Sequence, residues 1–318
     1  MMSNMDSFRW EVVSRCPLCD SESNRHVSFE QVEEEYGVLR YSLCQDCGLV
    51  FQSPRISEDS LAAFYSSGYR QLVQGSEKPT EKDLRVQAGR ARHLIQFVQQ
   101  IVPSVSHHLD IGSSSGALMR AFQEFYRCEG IGVEPGQAYR ARSRSLGLDV
   151  CANLADLDLE KHESFDLVSM AHVLEHIPDP VAYLTQLRER WMTPGGYLLI
   201  EVPNLFGHRS VEFAHLVLFS PTTLPQVLSA SEFEVLRLIT HGNPRSPILR
   251  LYITVIAKPR SDGGQPSKVR FTSRGIRVQR AISMWVLNCL TEKLPGWTWK
   301  EWPELEASSC EGDGCSSG

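Results

Sequence analysis

One stretch constrains this chain more than any other: an apolar strand, a turn of small residues, a helix, and a second strand tipped with an acid. Leu109-Asp110-Ile111 is followed by Gly112-Ser113-Ser114-Ser115-Gly116, and Gly130-Ile131-Gly132-Val133 then leads into Glu134. Small turn residues let a ligand approach the backbone. An acid at the tip of the second strand can accept hydrogen bonds from both hydroxyls of a ribose. The pattern implies an adenosine-type pocket in an α/β fold.

Three chemistries compete for this turn. Gly112-Ser113-Ser114-Ser115-Gly116 also reads as G-x-S-x-G, the nucleophile elbow of a hydrolase. That reading needs an Asp and then a His, each after its own strand. Asp166 begins a strand instead of ending one, His241 is no more than a candidate third member, and Asp110 has no role in an elbow. A dinucleotide pocket needs a third glycine for close helix packing, where the chain has Ala117. Asp110 would also repel a pyrophosphate. A cationic adenosine ligand without phosphate fits the acid, and S-adenosylmethionine carries both a sulfonium and an ammonium.

From 106 to 258 strands alternate with helices, the pattern of a parallel sheet wrapped on both faces. Residues 107–111, 130–134, 149–151, 165–171, 197–202, 234–240 and 248–257 read as strands, and 116–127, 136–146, 180–192 and 221–231 as helices. The last two strands lack a helix between them and are joined through Gly242-Asn243-Pro244. The expected fold class is α/β, a Rossmann-like doubly wound seven-stranded sheet with an antiparallel last strand, plus a small N-terminal zinc ribbon and a helical cap.

The ribbon is read from cysteine spacing. Cys16, Cys19, Cys44 and Cys47 form C-x2-C-x24-C-x2-C, four soft ligands on two short turns, which suits a closed tetrahedral zinc site. A redox dithiol is the alternative. The expected organisation is a zinc ribbon over 11–53, a helical cap or linker over 54–105, the α/β domain over 106–258, and an extension over 259–318, part helical and disordered at its end. Within that extension 275–292 reads as an amphipathic helix with Ile282, Trp285, Val286 and Leu290 on one side, preceded by Arg270, Arg274, Arg277 and Arg280. Docking on the protein's own core with arginines in solvent competes with contact to a membrane surface. With 318 residues, 42% hydrophobic, and a net charge of −6, the chain reads as a soluble globular protein and not as a nucleic-acid binder. Met1 to Trp10 has no apolar core and no run is long enough to span a bilayer, so the cytoplasm is the expected compartment.

With these residues in view, the chain resembles the class I S-adenosylmethionine-dependent methyltransferases. The resemblance rests on Leu109 to Gly116, then Gly132-Val133-Glu134-Pro135, then Phe165 to Pro180 with its Leu174-Glu175-His176, then Pro194-Gly195-Gly196-Tyr197-Leu198-Leu199-Ile200. Ser114 stands where many members have glycine. The resemblance implies that Asp110, Gly112, Ser114 and Gly116 line the methionine end of the donor, Glu134 the ribose, Asn153 and Leu154 the adenine, and that Ala171 contributes backbone. His172-Val173-Leu174-Glu175-His176 also matches H-x-x-E-H, but a segment leaving a strand does not place both histidines on one helical face. Some quinone-pathway O-methyltransferases bind a metal with acids here, and this chain has His172 in place of an acid.

The cysteine pairs and Phe64-Tyr65-Ser66-Ser67-Gly68-Tyr69 are similar to the N-terminal part of zinc-ribbon methyltransferases of cell-surface polysaccharide and deoxysugar pathways. In the sugar C-methyltransferases among them, a cap tyrosine and a Glu-His pair approach the sugar. Here Tyr65 and Tyr69 match the first feature. Phe213-Ala214-His215 matches the second with Ala214 in place of the acid. The resemblance implies methyl transfer to a sugar or nucleotide-sugar hydroxyl, in a surface polysaccharide or secondary metabolite pathway. His215 is the first candidate base and His176 the second, with Tyr65 or Tyr69 orienting the acceptor. An RNA methyltransferase with a zinc module and a non-catalytic adaptor that keeps the fold are the alternatives.

Overall fold

The computed structural model describes residues 8–34, 37–57, 59–61, 75–157, 164–209, 211–260, 273–294 and 298–299. Tyr65 and Tyr69 lie outside the described residues, as does the end of the 259–318 extension. The N-terminal part carries strands β1 (Trp10–Glu11), β2 (His26–Glu34), β3 (Gly37–Cys44), β4 (Val50–Gln52) and β5 (Arg55–Ile56), followed by helix α1 (Glu81–Val98). The α/β part runs β6 (His107–Ile111), α2 (Ala117–Tyr126), β7 (Glu129–Val133), α3 (Gln137–Ser145), β8 (Asp149–Cys151), β9 (Phe165–Ala171), α4 (Pro180–Trp191) and β10 (Met192–Pro203). It continues through β11 (Val217–Leu218), α5 (Thr223–Ala230), β12 (Phe233–His241) and β13 (Tyr252–Pro259) to helix α6 (Ser273–Lys293).

Seven strands form one sheet in the order β12-β13-β10-β9-β6-β7-β8. β13 runs antiparallel to both β10 and β12, and the remaining pairs are parallel, so the expected seven-stranded sheet with an antiparallel last strand is present. The central strands are covered on both faces, as parallel strands must be. Leu167, Val168 and Met170 of β9 and Leu198, Leu199 and Ile200 of β10 are all buried.

Helix α1 begins on a capping box in which Thr80 and Asp83 satisfy each other's backbone amides. Its Ala91, Leu94, Phe97 and Val98 pack with Leu118 and Phe122 of α2 and with Leu167, Leu199 and Ile256 of the sheet. This second half of the 54–105 stretch is therefore a layer of the α/β sandwich. The ribbon is also joined to the larger sheet's domain. Its sheet has the order β11-β4-β3-β2, with Val217 paired to Phe51 and Leu218 to Val50. Leu39, Tyr41, Leu43 and Phe51 share one apolar core with Phe213, Leu216 and Phe219.

Helix α6 covers the predicted 275–292, but it docks by the other side. Ile276, Arg280 and Leu287 are buried, whereas Ile282, Trp285 and Val286 face solvent. The inner face packs on Leu249, Leu251 and Tyr252. Arg280 goes inward because its guanidinium has acceptors there: the carbonyls of Leu205 and His208 and the Glu30 carboxylate. Among the described residues no helix is long and apolar enough to cross a membrane.

Candidate active site

The turn after β6 adopts left-handed backbone at Gly112 (φ +73°), Ser114 (φ +51°) and Gly116 (φ +78°). Gly116 has a second constraint, since a Cβ there would overlap Leu148 Cδ1. Ser114 keeps the turn although it is not glycine, and its amide donates to Glu134 Oε2 at 2.9 Å. Glu134 Oε1 accepts from the Gly136 amide at 2.8 Å. The acid at the tip of β7 thus holds the turn after β6.

Asp110 ends a buried polar chain. Ser169 Oγ donates to Asp110 Oδ1 at 2.6 Å, and His108 Nε2 lies 2.8 Å from Ser169 Oγ. Burial raises the Asp110 carboxyl to about 7 and lowers His108 to about 3, so His108 is neutral. Asp110, Gly112, Ser114 and Ala171 line one cleft with Gln87 and Arg90 of α1. Gln87 Oε1 accepts from both the amide and the hydroxyl of Ser115. Sequence reasoning missed Gln87 and Arg90; their spacing of three, on the same helix as the buried Leu94, was the available signal. Asn153 is exposed and caps the turn Leu154–Asp156, and neither Asn153 nor Leu154 lines this cleft.

Beyond Ala171 the chain turns sharply, and His172 sits at φ +59°. Its Nδ1 is 3.3 Å from Glu175 Oε1 and its Nε2 3.4 Å from Glu201 Oε1. Arg90 Nε donates to Glu201 at 2.7 Å, and His241 Nε2 lies 3.4 Å from the other oxygen. Burial and Arg90 push His172 down, but the two carboxylates outweigh them and leave its pKa raised. Burial alone would raise both acids. His172 instead holds Glu175 at about 2, and His172, His241 and Arg90 hold Glu201 well below the carboxylate range.

Leu174–His176 is a single 3-10 turn, so His172 and His176 share no helical face. The turn is stitched to the segment before β11. His176 Nδ1 lies 2.9 Å from the Ala214 carbonyl, and the Leu216 amide donates to the Glu175 carbonyl at 2.8 Å. From the ribbon, Tyr41 Oη donates to the His215 carbonyl at 2.9 Å. The His176 and His215 rings meet nearly edge to face, with centroids 5.1 Å apart. Burial lowers His215 to about 4, leaving a neutral imidazole at pH 7. Ligand atoms of Glu175, His176 and His215 all lie within 4.8 Å of one another. Such a cluster can accept a proton or hold a divalent cation.

Residues 84–237 match the family described as "Methyltransferase domain". This stretch is a methyltransferase domain on a Rossmann-like sheet. A 1,6-didemethyltoxoflavin-N1-methyltransferase of Burkholderia thailandensis, solved with 1,6-didemethyltoxoflavin and S-adenosylhomocysteine bound, superposes with a TM-score of 0.51. The match has 17% identity and covers 67% of this chain and 96% of that one, so it speaks for a common fold. The ubiquinone biosynthesis O-methyltransferase of Cereibacter sphaeroides is 32% identical over 102 residues, 30% of this chain. The chain spans 40% of the length of that curated relative.

Outside the matched stretch, the methyltransferase domain's N-terminal neighbour holds the four cysteines. Cys16 Sγ is 3.5 Å from Cys47 Sγ, and Cys19 Sγ is 3.6 Å from Cys44 Sγ. All four sulfurs lie within 4.8 Å of one another. Four thiolates around a tetrahedral zinc stand about 3.8 Å apart, given a Zn–S bond of about 2.3 Å. The cluster therefore has the size of a closed zinc site. It leaves no coordination position for chemistry on a substrate.

Proposed function

We propose that this methyltransferase domain transfers a methyl group from S-adenosylmethionine to a hydroxyl of a small, sugar-like acceptor, and that Cys16, Cys19, Cys44 and Cys47 hold a structural zinc ion. The observation that carries the reading is the adjacency of two sites along one stretch of chain. Ala171 lines the donor cleft, and His172, Glu175 and His176 follow directly, packed against His215. We assign Asp110, Gly112, Ser114 and Gly116 to the methionine end of the donor, Glu134 to the ribose and Ala171 to backbone contact, with Asn153 and Leu154, which lie outside the cleft, toward the adenine.

S-adenosylmethionine supplies an electrophilic methyl carbon attached to sulfur. Asp110 offers the donor's ammonium a buried carboxylate, and Gln87 and Arg90 exclude water from above. His215 takes the acceptor's hydroxyl proton as the oxygen bonds the methyl carbon and the carbon–sulfur bond breaks. A hydroxyl acceptor asks for no more than this one neutral imidazole. The O-methyltransferase activity named for the curated relative points the same way. Tyr65 or Tyr69 is assigned to orient the acceptor.

Calorimetry with S-adenosylmethionine tests the donor half, and absence of heat would leave a non-catalytic adaptor. Incubating the protein with S-adenosylmethionine and a panel of nucleotide sugars, read by mass spectrometry, tests the acceptor half. A methylated sugar supports the assignment, and methylation of RNA in the same assay overturns it.

A further inference from the structure

His108 is fully buried, and the proton transfer to His215 makes no use of it. Its place follows from strand geometry. On β6, His108 and Asp110 stand two residues apart, so both side chains leave the same face of the sheet. On the neighbouring strand β9, Ser169 is the register partner of Asp110. All three side chains are buried. An apolar residue would suit the His108 position better on packing alone. Its ring lies on Phe122, with centroids 4.6 Å apart, and its Nδ1 has no hydrogen-bond partner among the described residues.

The other ring nitrogen supplies the reason for a histidine. An ionised Asp110 can only accept, so Ser169 gives it its one hydroxyl proton, across 2.6 Å. Ser169 Oγ must then accept from His108 Nε2, 2.8 Å away. Burial keeps the His108 ring neutral, so it contributes a dipole and no charge. An N–H and an O–H thus point in series at the carboxylate, and each polarises the other. The rest of the surroundings give Asp110 little help. Glu134 at the tip of β7 bears the same charge. Arg90 of α1, across the cleft, is paired with Glu201. Gln87 of α1, Ala117 and Leu118 of α2, and Ala171 of β9 carry no charge.

We propose that His108 and Ser169 are positioning residues for the methyl donor, holding Asp110 ionised and oriented for the ammonium of S-adenosylmethionine. The role rests on the assignment of Asp110 to that ammonium. It goes further in making donor affinity depend on two side chains that never touch the donor.

Calorimetry with S-adenosylmethionine at pH 7, in buffers of different ionisation enthalpy, reads affinity and proton release together. Asp110 titrates near 7, so the parent should release about half a proton per donor bound. Ser169→Ala removes a hydrogen bond to a charged group and should move the carboxyl up by about 1–2 pH units. The variant should then release nearly one proton and bind about 5-fold to 50-fold more weakly. Ser169→Thr, which keeps the hydroxyl, should restore the parent's proton release. His108→Phe leaves the Ser169 bond in place and should move both readouts the same way by less. In the donor-bound parent, the ¹⁵N shifts of His108 should show a neutral ring protonated on Nε2, a test that needs no variant to fold. A ring protonated on Nδ1 overturns the proposal. So does parent-like binding by Ser169→Ala, or weaker binding with unchanged proton release, the mark of damaged packing. If the parent binds no S-adenosylmethionine, the donor assignment itself falls, and the role of His108 and Ser169 with it.

Discussion

His176 Nδ1 sits 2.9 Å from the Ala214 carbonyl, which fixes the ring between the turn after β9 and the segment that carries His215. The carbonyl can only accept, so His176 Nδ1 donates this bond, and Nε2 lies on the side of Glu175. The two candidate bases are therefore held by one short piece of backbone. Removing either has a different expected result.

His215→Ala should lower turnover about 100-fold to 10,000-fold, the usual contribution of a positioned base. S-adenosylmethionine affinity, measured by calorimetry, should stay within a factor of two or so, because the donor cleft does not include His215. Equal losses in affinity and turnover would remove His215 from the proton transfer. His176→Ala should cost both turnover and stability, since it also strips the Ala214 carbonyl of its donor.

If Asp110 holds the donor's ammonium as proposed, donor binding has a pH dependence with a definite sign. Its carboxyl titrates near 7 in the free protein, raised from 3.8 by burial. A bound ammonium favours the ionised form, so binding below pH 7 must release a proton. Affinity for S-adenosylmethionine should rise from pH 6 to pH 7 and flatten above pH 8, with proton release visible in buffers of different ionisation enthalpy. The same shift makes the free protein lose stability as pH rises from about 4 through 7, since the folded state binds this proton more tightly than the unfolded one. Asp110→Asn should abolish both trends and weaken donor binding on the order of 10-fold to 100-fold.

Two glycines with similar backbone allow a paired comparison. Gly147 (φ +79°) has open space where a Cβ would stand, so Gly147→Ala should cost about 1 kcal/mol of backbone strain. Gly116→Ala adds overlap with Leu148 and a close approach to Ser143. It should cost about 1–3 kcal/mol more in urea unfolding and weaken donor binding. Equal costs at the two positions would show that the turn yields more than its packing implies.

Metal analysis should find one zinc per chain, and Cys44→Ser should lose it. Structural zinc contributes on the order of 10 kcal/mol to the folding of small isolated modules. The ribbon should therefore melt first in the variant. Tyr41 and β4 would then release the His215 segment, and turnover should fall with the metal content. Tyr41→Phe isolates one strand of that coupling and should cost about 1 kcal/mol, the worth of a single hydrogen bond.

The sheet was readable because its central strands are mostly apolar runs. Phe165 to Ala171 and Tyr197 to Val202 have no other comfortable place, and Asp179-Pro180 announces the next helix. The turn at Gly112 to Gly116 was readable because few residues tolerate its backbone. Arg90 and Glu201 were not, since their partnership spans 111 residues and depends on how α1 lies across the sheet. Periodicity also identified α6 without identifying its inner face. With apolar residues on both sides, only the carbonyls that receive Arg280 decide which side turns in.

Pairing of β4 with β11 also sets an order of events during synthesis. Val50 and Phe51 leave the ribosome long before Val217 and Leu218, their partners in the finished sheet. Until then the edge of β4 stands open, and β2, β3 and β4 have only one another as partners. The ribbon thus emerges before the α/β sheet and is completed only after most of that sheet.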